Sequence, residues 1–367
     1  MSDPLKSEFH QRCSEWYEGR ADTNEVQLER IFHSIRSQQH EVAAALVAKE
    51  GRRLVQMGHL ELLGLVENIE LVGLDVRTVL NLSQLKGEMM AMMGRLDDAE
   101  TVLSSALDQN PADEAIRAQL LSSLADVARK NGNSDLALER HKQALTSYIE
   151  QGNALWAART YNNIGYLLRR KKERSKALEA YAEVESILSS DDDPSLINSQ
   201  ITLARALIDL EELDRAKNHA IAAHERTAEG EDPLLHARAQ SVLGRYYAKL
   251  NQSDLAMFHY SSALEALSES SDLQSLVEVT ILLGGVLHDA GKNDEAIDHY
   301  RQALVVAEAN DMRMEIGELL TRLGGTSPDR QERMEYLQRA LAVFRELGAR
   351  SRMKDVQAMV HRAVMSR

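Results

Sequence analysis

Arginine and other polar residues that could bind an anion occur in four successive segments of an otherwise acidic chain. In one segment, Arg159, Arg169 and Arg170 accompany Asn162 and Tyr166. A guanidinium holds a carboxylate or phosphate through two parallel N–H donors, so these residues could bind an anionic ligand. Asn162 could anchor a peptide backbone while Tyr166 adds an aromatic contact. The candidate ligand-binding residues are Arg129, Lys130, Arg159, Asn162, Tyr166, Arg169, Arg170, Asn198, Arg205, Arg238, Arg245 and Lys249.

We interpret these residues as the lining of a basic groove that binds an acidic peptide or partner protein. A phosphorylated segment or a small anionic ligand would suit the same side chains. The alternative is that the arginines are solvated charge, neutralised by neighbouring glutamates. Arginines paired internally with carboxylates would argue against the groove, and the sequence leaves both interpretations open.

Histidines form the second candidate cluster. His219, His259 and His299 recur at equal intervals along the chain. Stacked repeats could align them as a metal-binding or pH-sensing row. The alternative is a helix position that tolerates half-buried amphipathic residues, and neighbouring repeats should hold the rings too far apart for one ion.

Catalytic and cofactor motifs are missing from the sequence. It contains no HExxH, GxSxG, CxxC or GxxxxGK[ST] pattern. A single cysteine, Cys13, excludes an internal disulfide and a zinc site built on several thiolates. We therefore expect no enzyme activity, no cofactor and no metal.

The composition and charge of the chain argue against two classes of partner, nucleic acids and membranes. The formal net charge is -14, which argues against a general nucleic-acid binder because such proteins neutralise phosphates with positive charge. No apolar run reaches the roughly 18 residues of a membrane span, and the first residues resemble neither a signal nor a transit peptide. A cytoplasmic protein without membrane contact is expected.

A repeated pattern predicts the elements that position these residues. Six alanines follow one another at nearly constant intervals, each opening a stripe of small and larger residues such as Ala296, Tyr300 and Ala303. A small residue such as Gly284 lies twelve positions before each alanine. Positions three and four apart share one helix face, so the pattern predicts a helix, a tight turn and a second helix. The alanines are Ala99, Ala137, Ala177, Ala216, Ala256 and Ala296.

This pattern resembles the tetratricopeptide repeat in its long-helix form, over roughly residues 80 to 345. The resemblance implies an all-α, right-handed α-solenoid superhelix with degenerate terminal caps. It also implies that first helices line a concave face that binds partners. We expect an N-terminal helical region at 1–70, about seven repeats at 71–349, and a capping helix at 350–367. Within the N-terminal region, successive helices should be broken at Gly19, near Gln39 and at Gly58.

The N-terminal region carries a second resemblance. The segments "EWYEG", "IFHSI", "EVAAALV" and "LVQMGHLELLGLVENI" are similar to the junction before the sensor array in signal-transduction ATPases of the STAND class, including maltose-regulator-type activators. This resemblance implies an alternative function. The chain would be a sensor arm that binds a small anionic inducer or signalling peptide and controls a STAND-type ATPase or transcription regulator.

Overall fold

The computed structural model describes residues 3–18, 20, 23–56, 59–191, 193–228, 232–268 and 272–365. These residues form α-helices, one short 3-10 helix and the turns between them, with no strand among them. The all-α class predicted from the sequence is therefore confirmed. The chain divides into two compact units, Met1–Asp192 (unit 1) and Asp193–Arg367 (unit 2).

Unit 1 begins with four helices that precede the regular pairs, and three helix pairs follow. The helices are α1 (Asp3–Glu18), α2 (Asn24–Arg36), α3 (His40–Gln56), α4 (Leu62–Val66), α5 (Val76–Met92), α6 (Leu96–Asp108), α7 (Glu114–Lys130), α8 (Ser134–Glu150), α9 (Ala154–Arg170) and α10 (Arg174–Ser190).

Unit 2 contains four helix pairs and a closing helix, preceded by the 3-10 turn Pro194–Leu196. Within each unit, the pairs pack against one another in chain order, as in an α-solenoid. The helices are α11 (Ile197–Asp209), α12 (Leu213–Ala228), α13 (Pro233–Lys249), α14 (Ser253–Leu267), α15 (Leu273–Asp289), α16 (Asn293–Ala309), α17 (Arg313–Thr326), α18 (Arg330–Glu346) and α19 (Arg350–Met365).

The two helices of a pair meet where a small residue faces the residue sixteen positions later. A Cβ atom added to Gly165 would lie 2.5 Å from Cε1 of Tyr181, and one added to Gly244 would lie 2.7 Å from Cδ1 of Tyr260. Real Cβ contacts are not this short, so the aromatic ring occupies the space that a side chain would need. The small residue and the ring predicted from the sequence therefore form one contact.

The tight turns between the paired helices contain a residue in the left-handed backbone region. Gly291 has φ 79°, and the next amide, of Lys292, donates to the carbonyl of Leu287 at 2.9 Å. Asn251 adopts φ 59° at the equivalent turn. This arrangement satisfies carbonyls at the helix end, and glycine or asparagine adopts it most readily.

The N-terminal region differs in part from its predicted helices. The break near Gln39 is confirmed, because α2 ends at Arg36 and Gln38 has φ 63°. The segment "HLELLGLVENI" is helical only over α4. Gly19 and Gly58, where two further breaks are predicted, lie outside the described residues.

Candidate functional site

Unit 2 contains a cavity of about 370 Å³ lined mainly by its first helices. Asn198 and Arg205 come from α11, and Arg238 and Arg245 come from α13. The two residues from each helix lie two helical turns apart, so their side chains share one face. The structure thus brings four of the twelve predicted residues into one cavity.

Carboxylates from α15 and its N-cap lie among these arginines. Arg245 Nη2 lies 2.8 Å from Oε1 of Glu278, and Arg205 Nη1 lies 4.0 Å from the same oxygen. Arg238 Nη2 lies 3.4 Å from Oδ2 of Asp272. The basic groove predicted from the sequence is therefore partly neutralised in unit 2, because three guanidiniums share the cavity with two carboxylates.

Asp272 and Glu278 are absent from the predicted set, although the repeat spacing could have found Glu278. It follows Arg238 by the same interval that separates Arg238 from Asn198. Extending the first-helix register by one repeat therefore adds it. The sequence does not indicate a role for Asp272 in the cavity, because an aspartate at this position is explained by helix capping. Its carboxylate does cap α15, accepting a hydrogen bond from the Ser275 amide at 3.0 Å.

Lys249, the last predicted residue of unit 2, is not among the residues that line the cavity. Its ammonium nitrogen lies 3.0 Å from Oε1 of Glu211. This pair joins the end of α13 to the turn after α11.

In unit 1, three predicted arginines surround Tyr166. The guanidinium carbons of Arg129, Arg169 and Arg170 lie 5.9, 5.6 and 5.9 Å from its ring centroid. Arg170 also donates to the Tyr166 hydroxyl at 3.3 Å, and Arg129 lies 3.3 Å from Oδ1 of Asp126. Cations at these distances are attracted to the ring face, so Tyr166 holds the arginines together.

Of two further predicted residues in unit 1, Lys130 bonds to a backbone carbonyl and Asn162 is buried. The Lys130 ammonium donates to the carbonyl oxygen of Ala91 at 2.7 Å, close to the end of α5. Burial lowers the pKa of Lys130, and the nearby Arg129 lowers it further. Asn162 is only 4% exposed, so its side chain does not present the free surface expected for a peptide anchor.

Arg159, the remaining predicted residue, packs on an aromatic ring of its own helix. Its guanidinium carbon lies 5.2 Å from the Trp156 ring centroid. Arg52 of α3, which the sequence did not point to, lies 5.8 Å from the same centroid. It belongs to a helix that precedes the repeats, so no spacing rule could have found it.

The predicted histidine row does not form a metal site. His219, His259 and His299 are all half-buried, as the alternative interpretation expected. His259 instead stacks on Tyr247 at 5.2 Å, and its Nδ1 lies 2.7 Å from Oε1 of Gln240. Across the described ranges, no three His, Cys, Asp or Glu side chains are placed to hold a metal ion.

His141 occupies the ring position of the pair α7/α8 and is fully buried. Neither ring nitrogen has a hydrogen-bond partner in the parts of the chain that the structure describes. Burial lowers the pKa of His141; among the nearby charges, Asp126 opposes this shift and Arg129 adds to it. The folded protein therefore takes up this proton at a lower pH than the unfolded chain, in which histidine titrates near pH 6.5.

Acid should destabilise the protein partly through His141. Below about pH 6.5 the unfolded state binds more protons at this position than the folded state, so stability falls as pH falls. We expect His141→Phe to lose less stability than the wild type between pH 7.5 and pH 5, measured by urea unfolding at each pH. Parallel losses in the two proteins would contradict this assignment.

No helix in the described parts of the chain is long and apolar enough to cross a membrane.

Comparison with known proteins identifies the repeats and the fold. Residues 116–190 match the tetratricopeptide repeat family, which confirms the repeats for that segment. No curated protein matches the chain. Three solved structures share its fold.

One is a Rap protein complexed with competence and sporulation factor, with a TM-score of 0.57, 16% identity, and 95% of this chain and 98% of that chain covered. Another is NprR in complex with its cognate peptide NprX, with a TM-score of 0.53, 12% identity, and coverages of 94% and 98%. The third is the STAND protein PH0952 from Pyrococcus horikoshii, which has a tetratricopeptide repeat sensor. Its TM-score is 0.59 at 13% identity, and the match covers 96% of this chain but 55% of that one.

Proposed function

We propose that this chain is a non-catalytic binding module that receives an acidic peptide or a segment of a partner protein in the unit 2 cavity. The observation that carries the proposal is the cavity itself. At about 370 Å³ it has the size of a small-ligand site, and several arginines converge in it. Two structures of the same fold hold a ligand: the Rap protein holds competence and sporulation factor, and NprR holds its cognate peptide, which supports a peptide as the guest.

The charges of the cavity favour an acidic guest. Three guanidiniums against two carboxylates leave one net positive charge in the lining. The side chains of Arg205 and Glu278 are 48% and 45% exposed, and ion pairs this exposed contribute little stability. Arginine has five N–H donors, so a peptide carboxylate can join or displace Glu278 at low cost.

Short fluorescent peptides of acidic, neutral and basic composition test this proposal. We expect acidic peptides to bind most tightly by fluorescence polarisation. Arg245→Gln should weaken their binding about tenfold or more, because a charge-assisted hydrogen bond is lost. Glu278→Gln should strengthen it, because an internal competitor for the same guanidiniums is removed.

Lys249→Gln is the matched control, since it removes a cation of the same unit that does not line the cavity. It should leave peptide affinity within about twofold of the wild type, a change too small to indicate a lost charged contact. Weaker binding of acidic peptides to Glu278→Gln would mean that this carboxylate receives a positive group of the guest. That result would overturn the acidic preference.

A sensor arm is the second candidate function, favoured by the fold shared with the tetratricopeptide repeat sensor protein of the STAND class. In that case the peptide or a small anionic inducer would control an ATPase or a transcription regulator. Affinity capture from native extract, with and without the tightest peptide, tests this function. A STAND-type ATPase or regulator whose capture changes with peptide would support it, and capture of neither would count against it.

A further inference from the structure

Unit 2 contains a second cavity, of about 260 Å³, between the first helix of its last pair and the closing helix. We call it the terminal cavity. Glu318 and Arg322 come from α17, and Arg352 and Asp355 come from α19. None of the described residues that line it also lines the unit 2 cavity. The terminal cavity is therefore a separate place at which a ligand could bind.

One part of the terminal cavity is an apolar wall made by Phe344, Val356 and Met359. Phe344 and Val356 are each 1% exposed, and Met359 is half-buried. Val356 and Met359 follow Arg352 at intervals that place all three on one face of α19. A flexible thioether beside an aromatic ring accommodates apolar groups of different shapes. The wall thus suits the side chain of an apolar guest.

The hydroxyl of Tyr300 is a polar group without a partner beside this wall. Tyr300 is 1% exposed, yet it lines the terminal cavity. No residue in the described parts of the chain forms a hydrogen bond with its hydroxyl, and the oxygen is not fully enclosed. Burial raises the pKa of Tyr300 to about 12, so the hydroxyl keeps its proton and can donate it to a ligand.

A glycine explains why this hydroxyl can be reached. Gly285 follows Arg245 by forty positions and has the same register in the next first helix. Tyr260, the equivalent of Tyr300, does not line the unit 2 cavity, where Arg245 lies. At Gly285, the Tyr300 hydroxyl and Arg322 Nη1 each lie 4.0 Å from the position of an added Cβ atom. The two donors are therefore close enough to bind the two oxygens of one carboxylate.

The charged groups of the terminal cavity are not all paired. Glu318 is shared by two arginines, with Oε1 3.6 Å from Arg322 Nη2 and Oε2 3.8 Å from Arg352 Nη2. Within the described ranges, neither arginine donates a hydrogen bond and Asp355 has no partner. With two guanidiniums and two carboxylates, the lining has no net charge when His288 is neutral. It therefore combines a cation in excess over Glu318 with an unpaired carboxylate.

We propose that the terminal cavity binds a free apolar amino acid as a zwitterion. The carboxylate of the ligand accepts hydrogen bonds from the two arginines and the Tyr300 hydroxyl, its ammonium group pairs with Asp355, and its side chain lies on the apolar wall. A residue at either end of a peptide lacks one of these two charged groups, so the charges select a free amino acid. This ligand and this cavity go beyond the function proposed above.

Isothermal titration calorimetry of the full chain with leucine, methionine and phenylalanine tests this proposal. We expect saturable binding of at least one of them. Leucinamide lacks the carboxylate and N-acetyl-leucine lacks the ammonium group, so each should bind about tenfold more weakly than leucine, or worse. Binding of none of the three amino acids would overturn the proposal, as would equal affinity for leucine and leucinamide.

Variants assign each contact. Tyr300→Phe removes only the hydroxyl, and Arg322→Gln removes one guanidinium; each should weaken leucine binding about tenfold or more, as expected for a lost hydrogen bond to a charged group. Asp355→Asn should weaken binding of leucine but not of N-acetyl-leucine, which has no ammonium group. A Tyr300→Phe or Arg322→Gln variant that binds leucine like the wild type would contradict the assignment.

Arg339→Gln is the matched control for the arginine. Arg339 does not line the terminal cavity, its side chain is 46% exposed compared with 49% for Arg322, and it pairs with Glu308 at 2.7 Å. This variant should bind leucine like the wild type. Arg245→Gln should weaken acidic peptides without affecting leucine, and Arg322→Gln should do the reverse, so the two proposals fail separately.

Discussion

Replacing Tyr300 by alanine should lower the free energy of unfolding by about 3 to 5 kcal/mol, the usual cost of truncating a buried aromatic side chain. Tyr300 is 1% exposed and lies between helices α15 and α16, over the backbone of Gly284. The three neighbours cannot fill the gap, because Gly284 has no side chain and Ala296 and Ala303 are small. The loss should appear as a lower midpoint in urea unfolding followed by circular dichroism.

Tyr300→Phe is the control for this substitution. It keeps the ring and removes only the hydroxyl, so most of the packing stays. We expect a change below about 1 kcal/mol, since the phenylalanine ring conserves the buried apolar contacts. If Tyr300→Ala unfolded at the same urea concentration as Tyr300→Phe, the ring would not be holding the pair together.

Substituting alanine at two adjacent glycines should change stability in opposite directions. Gly284→Ala places a Cβ atom against the Tyr300 ring, and such overpacking costs about 1 to 3 kcal/mol. At Gly285 the nearest atoms to a new Cβ are 4.0 Å away, on Arg322 and Tyr300. Alanine is the better helix former by about 1 kcal/mol, so Gly285→Ala should stabilise the protein.

A double substitution isolates the steric contact. In the Tyr300→Ala background the ring is gone, and Gly284→Ala should no longer destabilise. The chain already contains such a combination, because Ala204 and Ala220 occupy the equivalent positions of α11 and α12 and both are fully buried. A cost of Gly284→Ala that persists without the ring would show that the clash lies elsewhere.

The helix pairs could be predicted in detail because their determinants are local. Gly284 and Tyr300 are sixteen positions apart, and the helix–turn–helix unit between them has a nearly fixed length. The same small residue and ring recur at Gly165 with Tyr181 and at Gly244 with Tyr260. Seven helix pairs, from α5 to α18, repeat this arrangement with variations.

The last pair shows where the local pattern stops. In α17 and α18, Phe344 lies against Gly317 and Leu337 lies against Gly324. The first two partners are farther apart in the sequence than in the other pairs and the second two are closer, so the regular spacing fails there. The first helix of this pair, Arg313–Thr326, ends two residues before Pro328, because the residue before a proline disfavours helical geometry.

The sequence by itself determined the all-α class and the small residue and ring at which the two helices of a pair meet. It could not determine which groups the arginines of either unit contact. Glu278 reaches Arg245 from the first helix of the next pair, and Arg52 reaches the Trp156 ring from a helix outside the repeats. Helix formation and pair packing depend on side chains a few turns apart, and a repeating sequence displays these directly. Charge pairing depends on which long side chains converge after stacking. Only the tertiary structure therefore decided that the three arginines of the unit 2 cavity meet two carboxylates, and that Arg52 and Arg159 of unit 1 have no carboxylate partner among the described residues.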